Sequence, residues 1–176
     1  MNESASPRKD AVASLARQLQ HASPGVLARL RRADAANGFM TALFEIEWML
    51  QAADVEPQSE DQHRRWALAL HCLAIAHGKH AREQEAGAVL HRLYAGKEAR
   101  LRQLIEADFD VLSDLMPRLA RRLAAANAAL DWWPLVNLLL YTGTDQEARA
   151  NSARQRLVQQ FLRTQGASKA DAPQPA

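Results

Sequence analysis

Apolar residues recur with a helical period along almost the whole chain, and no segment alternates as a strand would. The densest apolar stretch is residues 131–141, DWWPLVNLLLY. Asp131 is predicted to cap a helix there, with Pro134 in the first turn, where its missing N–H costs little. Gly143 is placed to close it in the left-handed conformation. A helix with no polar face must be covered on all sides, so this one is expected to be the central rod.

The other segments follow in order. Residues 10–21 carry Val12, Leu15, Ala16 and Leu19 at helical spacing. Ser23 and Pro24 start a short helix that ends in Arg29, Arg31 and Arg32. Residues 39–53 read as an apolar helix with Phe39, Leu43, Ile46 and Leu50 on one stripe. Ser59 and Gln62 match a capping box, and the next helix is expected to reach about His77, with Trp66, Leu70, Leu73 and His77 on one face. After a loop at 78–85 come helices over 86–94, 97–107 and 110–127, the last bent or split at Pro117. Thr144 and Glu147 match a second capping box, and the final helix is expected to run to about Thr164. The chain thus reads as all-α: one compact multi-helix bundle over residues 10–165, of about eight or nine short to medium helices. Disordered tails are expected at 1–9 and 166–176.

Composition adds little except in the cations. Apolar residues make up 48% of the 176, enough for a real core. No apolar run reaches the roughly 20 residues of a membrane span, and the N-terminus lacks the apolar segment of a signal peptide, so a cytoplasmic protein is expected. Cys72 is the lone cysteine, which leaves no intramolecular disulfide and no CxxC metal site. Net charge is only +2, but the cations are mostly arginine, with Lys9, Lys79, Lys97 and Lys169 the lysines. Arginine suits planar contact with phosphate and carboxylate.

Candidate catalytic groups fail one by one. His77 and His80 are three apart, but Gly78 should end the helix between them, and no HExxH or second Cys completes a ligand set. His71 and His77 read better as buried or capping residues. Cys72 lies inside an apolar helix, where thiols are usually inert. Phosphate-binding glycine motifs and a nucleophile elbow are missing. No catalytic residue, metal or cofactor is predicted, and a metal hydrolase built on His77 and His80 is the least supported reading.

The arginines form a pattern. Arg149, Arg156 and Arg163 repeat every seven residues on the last helix, opposite Leu157, Val158, Phe161 and Leu162. Arg118, Arg121 and Arg122 oppose Leu112, Leu115, Leu119 and Leu123, and Arg29, Arg31 and Arg32 cluster at a helix end. Such patches suit a phosphate backbone, read without sequence preference. The aromatics fall mostly on apolar stripes and read as core, not as a stacking platform. Arg154 points to the apolar side, where it pairs with a carboxylate or meets another subunit.

The order of motifs resembles a known family. Arg31-Arg32 come first, then Gly87-Ala-Val-Leu90, then Glu98-x-Arg100 leading to Leu104-Ile105, then Arg121-Arg122-Leu123, and finally Asp131-Trp132 before an apolar helix. Over about residues 25–163 the chain is similar to the CasB family, the small subunit of the type I-E CRISPR surveillance complex Cascade. It differs from the family pattern in having Tyr141-Thr142 at the end of that helix and no Trp after Trp133. The resemblance implies an all-helical, non-enzymatic subunit, present as a pair beside the guide-RNA backbone proteins, that stabilises the R-loop and holds the displaced strand. Its implied partners are the other Cascade subunits, CRISPR RNA, target DNA and a second copy of itself, with no membrane. By motif, Arg31, Arg32, Arg100, Arg121 and Arg122 fall on family basic positions. The competing reading is a helical adaptor whose basic faces meet acidic proteins.

Overall fold

The computed structural model of the chain describes residues 7–170, with side chains over residues 11–168. Its helices are α1 (Pro7–His21), α2 (Pro24–Arg32), α3 (Leu43–Ala52), α4 (Glu60–Ile75), α5 (Ala86–Leu93), α6 (Glu98–Ile105), α7 (Phe109–Ala125), α8 (Trp133–Tyr141) and α9 (Glu147–Ala170). Two 3-10 turns, Ala35–Asn37 and Met40–Ala42, precede α3. The described residues contain no strand beyond a single bridge between His80 and Leu130. Residues 1–6 and 171–176 of the expected tails lie outside the described residues. The inner parts of those tails, 7–9 and 166–170, are helical, because α1 starts at Pro7 and α9 continues to Ala170.

The apolar helix α8 is covered as expected, with Leu135, Val136, Leu138 and Leu139 fully buried. It shares the centre with α4, in which every residue from Arg65 to Ile75 is buried. Alanines 67, 69 and 74 let α1, α2, α7 and α8 approach α4 from several sides, so its apolar face is wider than the stripe read from the sequence. The end of the chain closes the second side, as α9 packs along α5 and α8. Pro117 neither splits nor ends α7. Leu112 and Met116 on one side of it and Leu119, Ala120 and Leu123 on the other are buried in the same core, which anchors both halves of one continuous helix.

Caps fixed by local chemistry fall where the sequence puts them. Ser23 Oγ accepts from the Val26 N–H at 3.4 Å, and Ser59 Oγ accepts from the Gln62 N–H at 3.1 Å. The box at Thr144 is shifted: Thr144 Oγ1 accepts from the Gln146 N–H at 3.1 Å, while the Glu147 carboxylate reaches back to the Gly143 N–H. Asp131 sits one residue before the cap position of α8, yet its carboxylate accepts from the Trp133 N–H at 3.1 Å.

Helix ends follow a different rule. At α4 the Gly78 N–H bonds to the Leu73 carbonyl at 2.8 Å and the His77 N–H to the Ala74 carbonyl at 3.1 Å, the paired bonds of a Schellman motif. The left-handed residue of that motif is His77, at φ 59°, so α4 stops at Ile75 and His77 is exposed, not on the inner face. Asp54, Ala95 and Asn127 hold the same position after α3, α5 and α7, at φ 53°, 49° and 52°. Phe39 is also left-handed, at φ 61°, which explains why the helix expected from residue 39 starts only at Leu43.

Candidate nucleic-acid interface

Helix α7 presents Arg118, Arg121 and Arg122 to solvent, opposite its buried stripe. Arg122 lies over the Tyr94 ring at 5.4 Å. Arg100, from the exposed side of α6, reaches the same tyrosine electrostatically; burial pushes the Tyr94 hydroxyl up, and the Arg122 and Arg100 charges oppose that rise. Arg121 is a charge neighbour of the buried His71, whose ring meets the end of α2. Arg122 and Arg100 therefore meet at Tyr94, Arg118 and Arg121 share the exposed face of α7 with Arg122, and Arg32 stands exposed at the end of α2. Arg32, Arg100, Arg118 and Arg121 are exposed and have no hydrogen-bond or ion-pair partner among the described residues.

The α9 stripe forms a second cationic strip. Arg149 donates to the Tyr141 hydroxyl at 3.1 Å and covers that ring at 5.2 Å. Arg163 lies 3.3 Å from Glu85. Arg156 stands between them, exposed and with no such partner among the described residues. It borders two shallow grooves of about 220 and 320 Å³, the second also lined by Arg82 and Arg163.

Besides Arg149, two of the arginines read from sequence as phosphate contacts are engaged within the fold. Arg29 pairs with Glu45 at 2.5 Å. Arg31 is half-buried, donating to the Ala74 carbonyl at 2.9 Å and meeting His77 Nδ1 at 2.9 Å, so it satisfies the C-terminus of α4. Arg154 pairs with Glu147 and donates to Asn151 at 2.7 Å and Thr142 Oγ1 at 2.9 Å. Its contact holds the Glu147 carboxyl below the usual range.

Sequence reasoning passed over Arg65, which is 5% exposed. It bonds Asp61 at 2.6 Å, the Leu139 carbonyl at 2.8 Å and the Thr142 carbonyl at 2.9 Å, and its guanidinium lies 3.9 Å from the Phe109 ring centre. The C-terminal carbonyls of α8 are thereby fixed by a charge on α4. The signal was Asp61 four residues before an arginine at the head of an apolar run.

His71, His80 and Cys72 are engaged inside the fold. His71 Nδ1 lies 2.7 Å from the Leu30 carbonyl, so that nitrogen carries the proton, and burial holds the ring below its ordinary value. His80 Nδ1 accepts from the Trp132 N–H at 3.2 Å. Burial pushes the Cys72 thiol far up, which leaves little thiolate. Among the described residues no group of three or more His, Cys, Asp or Glu is placed to hold a metal ion. No described helix is long and apolar enough to cross a membrane.

Two aromatics lie where the sequence reading did not put them. Phe44 and Trp48 point outward from α3, 80% and 56% exposed, while Phe39, Ile46 and Leu50 turn inward.

The family model described as CRISPR-associated protein Cse2 matches residues 26–162. The chain belongs to the Cse2 family. Comparison with curated proteins and with solved structures found no match. Membership of the Cse2 family makes the chain a small subunit of the type I-E Cascade complex, a structural role alongside the other subunits.

The quoted motif residues acquire physical reasons in this Cse2 fold. Gly87 lies against α9, where a Cβ would stand 2.3 Å from the Leu157 carbonyl oxygen. Leu101 and Leu104 of the Glu98-x-Arg100 run are buried and set Arg100 outward. Trp132 is 1% exposed, and its indole N–H donates to the Lys79 carbonyl at 2.9 Å. That bond ties the 78–85 loop to α8, together with the Ala81 N–H to the Leu130 carbonyl at 3.1 Å and the Asp131 N–H to the Gln84 carbonyl at 2.8 Å.

Proposed function

We propose that this protein is a non-enzymatic, nucleic-acid-binding subunit of Cascade that works in the cytoplasm. It stabilises the R-loop by holding the displaced non-target strand on its arginine faces. The observation that carries the reading is the set of exposed arginines with no hydrogen-bond or ion-pair partner among the described residues, above all Arg118 and Arg121 beside Arg122 on α7. An arginine whose charge is unspent inside the fold is available to phosphate, where it displaces condensed counterions. Arg100 extends that face through Tyr94, Arg32 adds an exposed charge at the end of α2, and Arg156 marks a second face. Arg29, Arg31 and Arg149 contribute less, because each already has a partner. The contacts are to the backbone, since guide pairing reads the sequence. CRISPR RNA, target DNA and a second copy of the chain complete the proposed partners.

The test is binding of isolated protein to single-stranded DNA of two unrelated sequences across a salt series. With roughly four to six phosphates neutralised, log K falls against log salt with a slope of about −3 to −4, equally for both sequences. Salt-insensitive or sequence-selective binding contradicts the reading. Binding to an acidic protein in place of DNA favours the adaptor.

A further inference from the structure

Helices α1 and α3 leave between them a groove of about 790 Å³, open to solvent. One wall is the α3 ridge Phe44, Trp48 and Ala52, spaced every fourth residue. The facing wall carries Arg17 and His21 of α1. Single exposed apolar residues are ordinary, but two aromatics on one ridge beside a deep apolar trough mark an interaction surface. Ridges at four-residue spacing interleave with the side chains of another helix.

The rim charge restricts the occupant. Arg29 and Glu45 cancel each other at 2.5 Å, which leaves Arg17 as an exposed cation with no ion-pair partner among the described residues and asks for a carboxylate opposite. Residues 1–6, MNESAS, hold one large apolar side chain, and residues 171–176, DAPQPA, hold none. Of the other large apolar side chains exposed among the described residues, Val111 and Leu162 lie singly on α7 and α9, and Met40 sits in the 3-10 turn before α3.

We propose that this groove docks an amphipathic helix of another protein subunit of the complex. That helix inserts aliphatic side chains beside Phe44 and Trp48 and sets a carboxylate against Arg17. The inference uses membership of the complex but not the arginine faces on α7 and α9.

The test exploits the buried Cys72, which leaves an introduced surface thiol as the sole reactive one. Ala52→Cys, labelled with a short photo-crosslinker, is assembled with the remaining Cascade subunits and CRISPR RNA, irradiated, and mapped by mass spectrometry. The expected product joins position 52 to an apolar helix of a different protein subunit, and Arg121→Glu with Arg122→Glu leaves that product unchanged. In parallel, Phe44→Ala with Trp48→Ala keeps its melting temperature but enters the complex about thirtyfold more weakly, the usual loss of an interface hot spot. Crosslinking to a second copy, to nucleic acid or to nothing overturns the proposal, as does normal incorporation of the double variant.

Discussion

The Gly87 backbone N–H donates to Gln160 Oε1 at 2.9 Å, both groups buried between α5 and α9. An orphan donor in the first turn of one helix is thus satisfied by a side chain of another. The approach is possible because residue 87 has no Cβ; one placed there would lie 2.6 Å from Gln160 Cβ and 2.9 Å from the Phe161 nitrogen. Gln160→Ala leaves that N–H unpaired and costs about 1–3 kcal/mol, read from urea unfolding. Gly87→Ala forces the helices apart and costs about as much again by overpacking. A Gly87→Ala protein as stable as wild type would show that the contact is not close.

Trp132 and Trp133 are adjacent but differently placed. Trp132 is fully buried with its indole N–H bonded, while Trp133 is half-buried. Trp132→Ala costs about 3–5 kcal/mol, the usual loss for a buried aromatic, and Trp133→Ala costs less. Equal melting temperatures for the two variants would contradict this placement.

Ala95 occupies a left-handed position at φ 49° and is exposed. Glycine adopts that conformation without the Cβ clash, worth roughly 1–2 kcal/mol, and gives back part of the gain as unfolded-chain entropy. Ala95→Gly is expected to raise stability by about 0.5–1 kcal/mol in chemical unfolding, whereas a lower midpoint would argue against the helix end described.

His71 gives the fold a pH dependence. Burial, the largest influence, lowers its pKa from the ordinary 6.5, so the folded protein keeps it neutral. Above about pH 6.5 neither state is protonated there and the stability is complete; below it the unfolded chain takes up a proton that the folded one refuses. Stability therefore falls as pH drops from 6.5 towards the lowered folded value, and the exposed His77, shifted the same way, adds to it. The check is unfolding across this range with the His71 ring followed by NMR; a ring that titrates at or above 6.5 in the folded state contradicts the assignment.

Helix starts were legible in the sequence because Ser23 and Ser59 act within three residues of themselves. One helix end was legible, at Gly143, left-handed at φ 73° after α8; those of α4 and α5 were not, since Gly78 and Gly96 lie one place after the left-handed residues His77 and Ala95. Burial of α8 followed from its composition, while that of α4 depended on alanines that a stripe counts as neutral. The arginine stripes on α7 and α9 were legible as helical periodicity. What each arginine meets was not, because Arg31 finds Ala74 and Arg163 finds Glu85 across long separations in the chain. Arg65 shows the same limit: a charge expected at the surface is needed inside, where α8 ends.

The most direct measurement of the central claim uses Arg121→Glu with Arg122→Glu in reconstituted Cascade. Both residues are exposed, and surface changes of this kind shift stability by only about 0.5 kcal/mol, so the isolated variant keeps its melting temperature. R-loop lifetime and incorporation of the subunit are measured side by side. The predicted result is normal incorporation with a shortened R-loop lifetime and unchanged mismatch tolerance, which base pairing sets. Normal incorporation with R-loops as long-lived as wild type would contradict the claim that these arginines hold the strand.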